Sequence, residues 1–275
     1  MISLRFHVTS ATTGDFEFSG IPLRAAFLDL LKKNNDELSS KVHDSEGIRS
    51  YSLDPFPFCR DFSTFVENGK EYTFGVNLFD TRSFSSTIRK MALTTQHDFH
   101  IHHYKFPLKR VDFQTHDADT LMEFWSTEGL TDDHTKMKVR FDFLTPTQLA
   151  NYGSDYAYLL PAAGKVFSHL LRVWNTIGYG TKLDQISEYR KWVEENVYIT
   201  FHRIRTVIVP LGRKRVVNGF IGQVDYEFEE DHKHFLPLTI GLARFAEFSN
   251  IGKNRTAGLG KVSTQILNRC NPMEC

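Results

Sequence analysis

The spacing of apolar residues along this chain switches between two and 3.6 in the same order twice, and few folds accept that repeated order. Ile2-Ser-Leu-Arg-Phe-His-Val-Thr9 alternates as a half-buried strand. Gly20 and Pro22 open a helix with Leu23, Phe27, Leu30 and Leu31 on one face, ending at Asn34-Asn35. A short second helix starts at Asp36 and sets Leu38 and Val42 one turn apart. Residues 51–58 are extended, 71–79 alternate again, 81–93 take helical spacing and 98–106 form a strand. A second pass starts with a strand at 136–144 and a helix opened by Pro161 and closed by Gly178. Strands at 197–209 and 215–228, a helix opened by Pro237 and a last strand at 259–267 complete it. Each pass reads βαββαβ. The expected class is α+β, with two tandem ferredoxin-like (RRM-like) domains at 1–112 and 136–275 and an acidic linker at 113–135. This fold hosts many RNA binders.

Charge supports that direction only locally. The 33 basic side chains among the 275 residues balance 33 acidic ones, and zero net charge by itself argues against phosphate binding. The distribution is uneven. Residues 197–224 contain no acid but hold Arg203, Arg205, Arg213, Lys214 and Arg215. Residues 248–273 contain none either, against Lys253, Arg255, Lys261 and Arg269. A neutral chain can therefore carry one basic face. The basic hairpin around residue 210 reads as a grip on RNA phosphates, or as a solubilising charged edge. The three cysteines (Cys59, Cys270, Cys275) show no metal spacing and suit a reducing cytoplasm. Neither a signal sequence nor an apolar run of the roughly 18 residues that a membrane span needs is present, so no membrane association is expected.

The segment Phe245-Ala-Glu-Phe-Ser-Asn-Ile-Gly-Lys-Asn-Arg-Thr-Ala-Gly-Leu-Gly-Lys-Val262 carries the sharpest signal. Gly252, Gly258 and Gly260 permit positive φ and close approach of a ligand, and consecutive N–H groups there would form an anion nest. Lys253, Arg255 and Lys261 add charge, and Asn254 and Thr256 add neutral donors. The alternative is a helix-to-strand loop whose glycines only make tight turns. The segment is neither a Walker loop nor a dinucleotide fingerprint, because it lacks the first spacing and follows a helix.

This loop resembles the glycine-rich signature of the repeat-associated (RAMP) proteins of CRISPR systems. It is most similar to the sixth Cas family, the endoribonucleases that cut CRISPR repeat transcripts. Gly219-Phe-Ile-Gly-Gln-Val-Asp-Tyr226 is similar to a strand of that family, Val139-Arg-Phe-Asp-Phe-Leu-Thr-Pro146 to the start of its second domain, and Leu38-Ser-Ser-Lys-Val-His-Asp44 to its N-terminal region. Leu259 stands where the family often has Phe. The resemblance implies paired ferredoxin-like domains and metal-independent cleavage of precursor CRISPR repeat RNA into guide RNAs. The products would carry a 2′,3′-cyclic phosphate and a 5′-hydroxyl, and no cofactor is called for. The implied partners are the repeat RNA, other Cas effector-complex subunits and a second copy of the chain. A non-catalytic guide-binding RAMP subunit is the other reading.

Such chemistry needs a base for the 2′-hydroxyl, an acid for the leaving 5′-oxygen and cations for the phosphorane. The resemblance assigns proton transfer to His43 and a supporting role to Arg49. The tyrosine that some members carry on the preceding helix falls at Leu28, and Tyr51 is a substitute for it. Without the resemblance, His43 reads as a cation at a helix C-terminus. His97-Asp-Phe-His-Ile-His-His103 offers a rival zinc hydrolase, with Asp98, His100 and His102 on one strand face and His116, His134, His232 or His234 as a further ligand. A solvated or RNA-facing surface is the preferred reading of these histidines, so no metal is expected.

Overall fold

A computed structural model of the chain describes residues 1–44, 47–93, 97–117, 137–151, 153–177, 182–212, 215–229 and 235–267, apart from the side chains at 43–44 and 92–93. The chain divides into two compact units. The first comprises Met1–His116, Ile208–Val217 and Asn254–Leu259, and the second Asp117–Val207, Asn218–Lys253 and Gly260–Cys275.

In the first unit, β1 (Ile2–Thr9), β2 (Gly14–Phe16), α1 (Gly20–Asn34), α2 (Asp36–Asp44), β3 (Tyr51–Asp54), β4 (Thr64–Val66), β5 (Glu71–Leu78), α3 (Thr81–Leu93), β6 (Asp98–Ile101) and β7 (Tyr104–Thr115) follow in order. The main sheet runs β3-β5-β1-β7-β6, and β2 and β4 form a separate ribbon. β1 pairs antiparallel with β5 and β7, the arrangement of a ferredoxin-like sheet with β6 added at one edge. Alternation sends Leu4, Phe6 and Val8 of β1 into the core with Leu23, Phe27, Leu30 and Leu31 of α1. Phe6 stacks on Phe74 at 4.7 Å and meets Phe99 edge-on at 5.8 Å. Each fully buried ring contributes about 1.5–3 kcal/mol.

The second unit is built from β8 (Lys138–Thr147), α4 (Ala163–Ile177), α5 (Ile186–Asn196), β9 (Val197–Pro210), β10 (Val216–Phe228), α6 (Phe235–Ser249) and β11 (Val262–Ile266), with its sheet in the order β11-β8-β10-β9. Phe141, Phe167 and Tyr226 pack edge to face, and the Tyr226 hydroxyl donates to the Pro161 carbonyl at 2.7 Å. The α+β, twice ferredoxin-like architecture is thus present.

Three details depart from the sequence reading. The strand expected at 98–106 is a hairpin, turned at His102 (φ 55°) and His103 into β7. Residues 113–115 continue β7, and residues 118–135 of the expected linker lie outside the described residues, as does Gly178. Residues Ile186–Asn196, for which no element is expected from the sequence, form α5, which buries Tyr189 and Val193. No described helix is long and apolar enough to cross a membrane.

Candidate nucleic-acid interface

β9 lies at the edge of the second sheet, and its residues 198–203, 205 and 206 are exposed. Period-two spacing puts Phe201, Arg203 and Arg205 on one face. Phe201 lies against the Arg140 guanidinium at 5.8 Å, and Arg140 forms a bidentate pair with Asp225 at 2.7 and 2.9 Å. That pair raises the Arg140 pKa, chiefly through the hydrogen bonds to Asp225. β10 shifts register between Phe220 and Gly222. Gly222 takes φ 121°, and a Cβ there would stand 2.0 Å from the Arg203 carbonyl oxygen, so the glycine lets the two strands meet at Arg203. Among the described residues no carboxylate pairs with Arg203, Arg205, Arg215 or Lys253, all of which are exposed. Arg213 and Lys214 lie outside the described residues.

The glycine-rich segment is more inward-looking than its composition implies. Asn250, Gly252, Asn254, Gly258 and Gly260 all take left-handed φ, which lets the chain coil on itself. A Cβ on Gly252 would lie 2.1 Å from the Gln148 oxygen, and one on Gly260 1.8 Å from the Ile251 oxygen. The Gly252 N–H donates to His169 Nε2 at 2.8 Å, Gly258 to the Arg255 carbonyl at 3.2 Å and Gly260 to the Pro146 carbonyl at 3.1 Å. Lys253, Ala257, Leu259 and Lys261 also donate their N–H groups within the protein. The anion nest expected at Gly252, Gly258 and Gly260 is therefore absent: those hydrogens are already engaged by protein acceptors.

Arg255 and Thr256 are buried, so they do not face solvent either. The Arg255 guanidinium lies 5.9 Å from the Phe79 ring, and burial pulls its pKa down to about 10, which leaves it charged at neutral pH. The Lys261 ammonium donates to the Glu247 carbonyl at 2.8 Å, near the C-terminus of α6. Lys253 is exposed and Asn254 half-buried.

Of the catalytic candidates, His43 sits one residue from the end of α2, its side chain outside the described residues. Arg49 is half-buried on the approach to β3. Tyr51 is corrected: it is fully buried, with its ring 5.6 Å from that of Phe27, so its hydroxyl meets no solvent and no substrate. Nothing in the residue type or the alternation of β3 separates a core tyrosine from a functional one. The histidine strand does not hold together as a ligand set, because the turn removes His102 from the face of Asp98 and His100. Among the described residues no three histidines, cysteines or carboxylates gather closely enough to hold a metal ion. His134, His232 and His234 lie outside them. His169, which sequence reasoning missed, is recognisable only through its partner Gly252, which is distant in sequence.

Residues 141–262 match the model of the family described as CRISPR-associated endoribonuclease Cas6. No curated protein matches the sequence. Among solved structures, a Thermus thermophilus Cas6 in a product complex superposes with a TM-score of 0.77 at 18% identity, covering 96% of this chain and 98% of that one. Another Cas6, also a product complex, gives 0.71 at 18% identity over 96% and 100%. A partial Cas6-RT-Cas1–Cas2 complex gives 0.60 at 12% identity, over 97% of this chain and 46% of that one. The segment that matches the Cas6 endoribonuclease model takes in β10 and the glycine-rich loop.

Proposed function

We propose that this protein binds CRISPR repeat RNA and cuts precursor transcripts within each repeat, without a metal, by attack of a 2′-hydroxyl on the adjacent phosphate. The family match over residues 141–262 carries the reading, supported by similar folds solved with product and with a substrate mimic. In this mechanism the neutral imidazole of His43 takes the 2′-hydroxyl proton, or its protonated form gives one to the leaving 5′-oxygen. Arg49 offsets the charge that develops on the phosphorane. The exposed Arg203, Arg205, Arg215 and Lys253 engage phosphates, and Phe201 offers a face on which a base can stack. Assembly with other Cas proteins belongs to the same proposal.

Incubating the purified chain with repeat RNA in EDTA tests it. The expected products are a 2′,3′-cyclic phosphate and a 5′-hydroxyl. His43→Ala should slow single-turnover cleavage by about 10²–10⁴-fold while RNA binding persists. Equal cleavage by that variant sinks the assignment to His43. Tight binding without any cleavage by the wild type points to the guide-binding RAMP subunit instead.

A further inference from the structure

The helical side of the second unit carries a basic recess that the proposed chemistry does not use. Gly164, Lys165, Ser168, His169 and Arg172 of α4 line it with Arg190 of α5, and Leu149 and Ala150 close it. Positions 165, 168–169 and 172 recur at one-turn spacing, so one stripe of α4 faces the space. Its volume is about 50 Å³, against the roughly 10–15 Å³ that a single water needs by the same measure, which is the scale of one tetrahedral anion.

The donors are already arranged. Lys165 is held above the Tyr158 ring at 4.7 Å, with its ammonium donating to the Ala150 carbonyl at 3.3 Å, so one of three N–H donors is used there. His169 Nε2 accepts the Gly252 N–H at 2.8 Å, which fixes the ring's orientation. The Ser168 hydroxyl oxygen is buried and, among the described residues, has no hydrogen-bond partner. At the rim the Glu194 carboxylate packs against Gly164 and is engaged by Arg190 at 2.9 Å. Glu194 meets the charge of Arg190, and Lys165 and Arg172 are the other cations among the lining residues, which include no acid.

We propose that this recess is a phosphate subsite that holds one backbone phosphate of the bound RNA away from the scissile bond. The assignment to RNA rests on the function proposed above, whereas the anion chemistry rests on the recess alone. The His169–Gly252 hydrogen bond ties the subsite to the start of the glycine-rich segment, so an RNA strand crossing Lys253 has a second anchor on the same unit.

The test is repeat-RNA binding by the full chain across a salt series, for wild type, Arg172→Ala, Lys165→Ala and Arg172→Lys. With one phosphate no longer neutralised, the slope of log K against log salt should shrink by about 0.7 for each alanine variant, and Arg172→Lys should restore it. In parallel, inorganic phosphate added to ¹⁵N-labelled wild type should shift the Gly164 and Ser168 amides saturably, and should not do so in Arg172→Ala. If RNA binds and both alanine variants, folded by circular dichroism, keep the wild-type slope, the subsite is wrong and the RNA reading stands. If the wild type fails to bind repeat RNA but phosphate still shifts those amides, the RNA assignment falls and free phosphate is the ligand.

Discussion

The two sheets share a topology, with the first strand of each flanked by its third and fourth, yet their polar faces are finished differently. In the first unit the side of β1 away from the core carries Ser3, Arg5 and His7, and each has a partner. Ser3 donates to Asn77 at 2.8 Å, Arg5 pairs with Asp54 at 3.2 Å, and His7 lies between Glu71 at 3.1 Å and Asp112 at 2.8 Å. Gly75 leaves the room for the Arg5–Asp54 pair, since a Cβ there would stand 2.3 Å from the Arg5 guanidinium. In the second unit two pairs, Arg140–Asp225 and Lys138–Glu227 at 3.3 Å, are closed in the same manner, while among the described residues Arg203 and Arg205 on β9 have no carboxylate partner. A face whose charges are already neutralised gains little from phosphate, whereas a strand of unpaired cations gains through counterion release. The same sheet topology thus carries a paired polar face on β1 in one unit and an exposed basic edge strand in the other.

That contrast can be broken most forcefully at Arg140. Arg140→Ala leaves Asp225, which is 4% exposed, without its cation, and should cost about 3 kcal/mol in denaturant-monitored stability. Arg5→Ala, on the somewhat more exposed single contact of the other sheet (35% and 15%), should cost less, about 1–2 kcal/mol. Comparable losses would remove the distinction between the sheets. Next in size is binding. Arg203→Ala with Arg205→Ala should weaken repeat-RNA affinity and reduce the salt slope by about 0.7 for each phosphate that is no longer neutralised. Arg5→Ala should leave that slope unchanged, and an equal effect of both would show that the closed face also binds.

Gly222→Ala sharpens the link between strand geometry and display. The added methyl meets the Arg203 carbonyl at a φ that only glycine adopts comfortably, so about 1–3 kcal/mol of stability should be lost and RNA affinity should fall with it. Affinity that survives a measured loss of stability would separate Arg203 from the bulge. The smallest effect concerns His97. Burial first, then the charge of Lys33, lowers its pKa, so the unfolded chain takes up the proton first. The stability that neutral His97 contributes is present above its ordinary 6.5 and is lost as pH falls below it. The melting midpoint should drop as the pH is taken from above that value to below it, and His97→Gln should reduce that dependence.

What the sequence discloses follows from the kind of force involved. Alternation along β1 and helical spacing along α1 and α4 are local consequences of burial, and they surface as Leu4, Phe6, Leu23 and Leu170 in the cores. The turn at His102–His103 carries no glycine, proline or asparagine, so a hairpin there looks like one strand. The glycine-rich loop misleads for a different reason. Positive φ and the absence of a side chain serve a phosphate nest and tight self-packing equally, and only the acceptors from residues 146–148 and His169 decide between them. Tyr51 and Arg255 likewise have the chemistry of functional groups, and only burial assigns them to the interior.

The make-up of the first unit has a consequence for biosynthesis. Its main segment ends at His116, but two of its pieces, Ile208–Val217 and Asn254–Leu259, are translated only after much of the second unit. A carbonyl of the later piece, that of Ala257, sits where a Cβ on Gly20 would be, at 1.9 Å, so the start of α1 is shaped to receive a segment the ribosome has yet to make. At about 5–20 residues per second that surface waits for about 12–47 seconds. A nascent chain stalled before residue 254 should therefore expose the N-terminal end of α1 to protease or chaperone, and release of the loop would complete the unit.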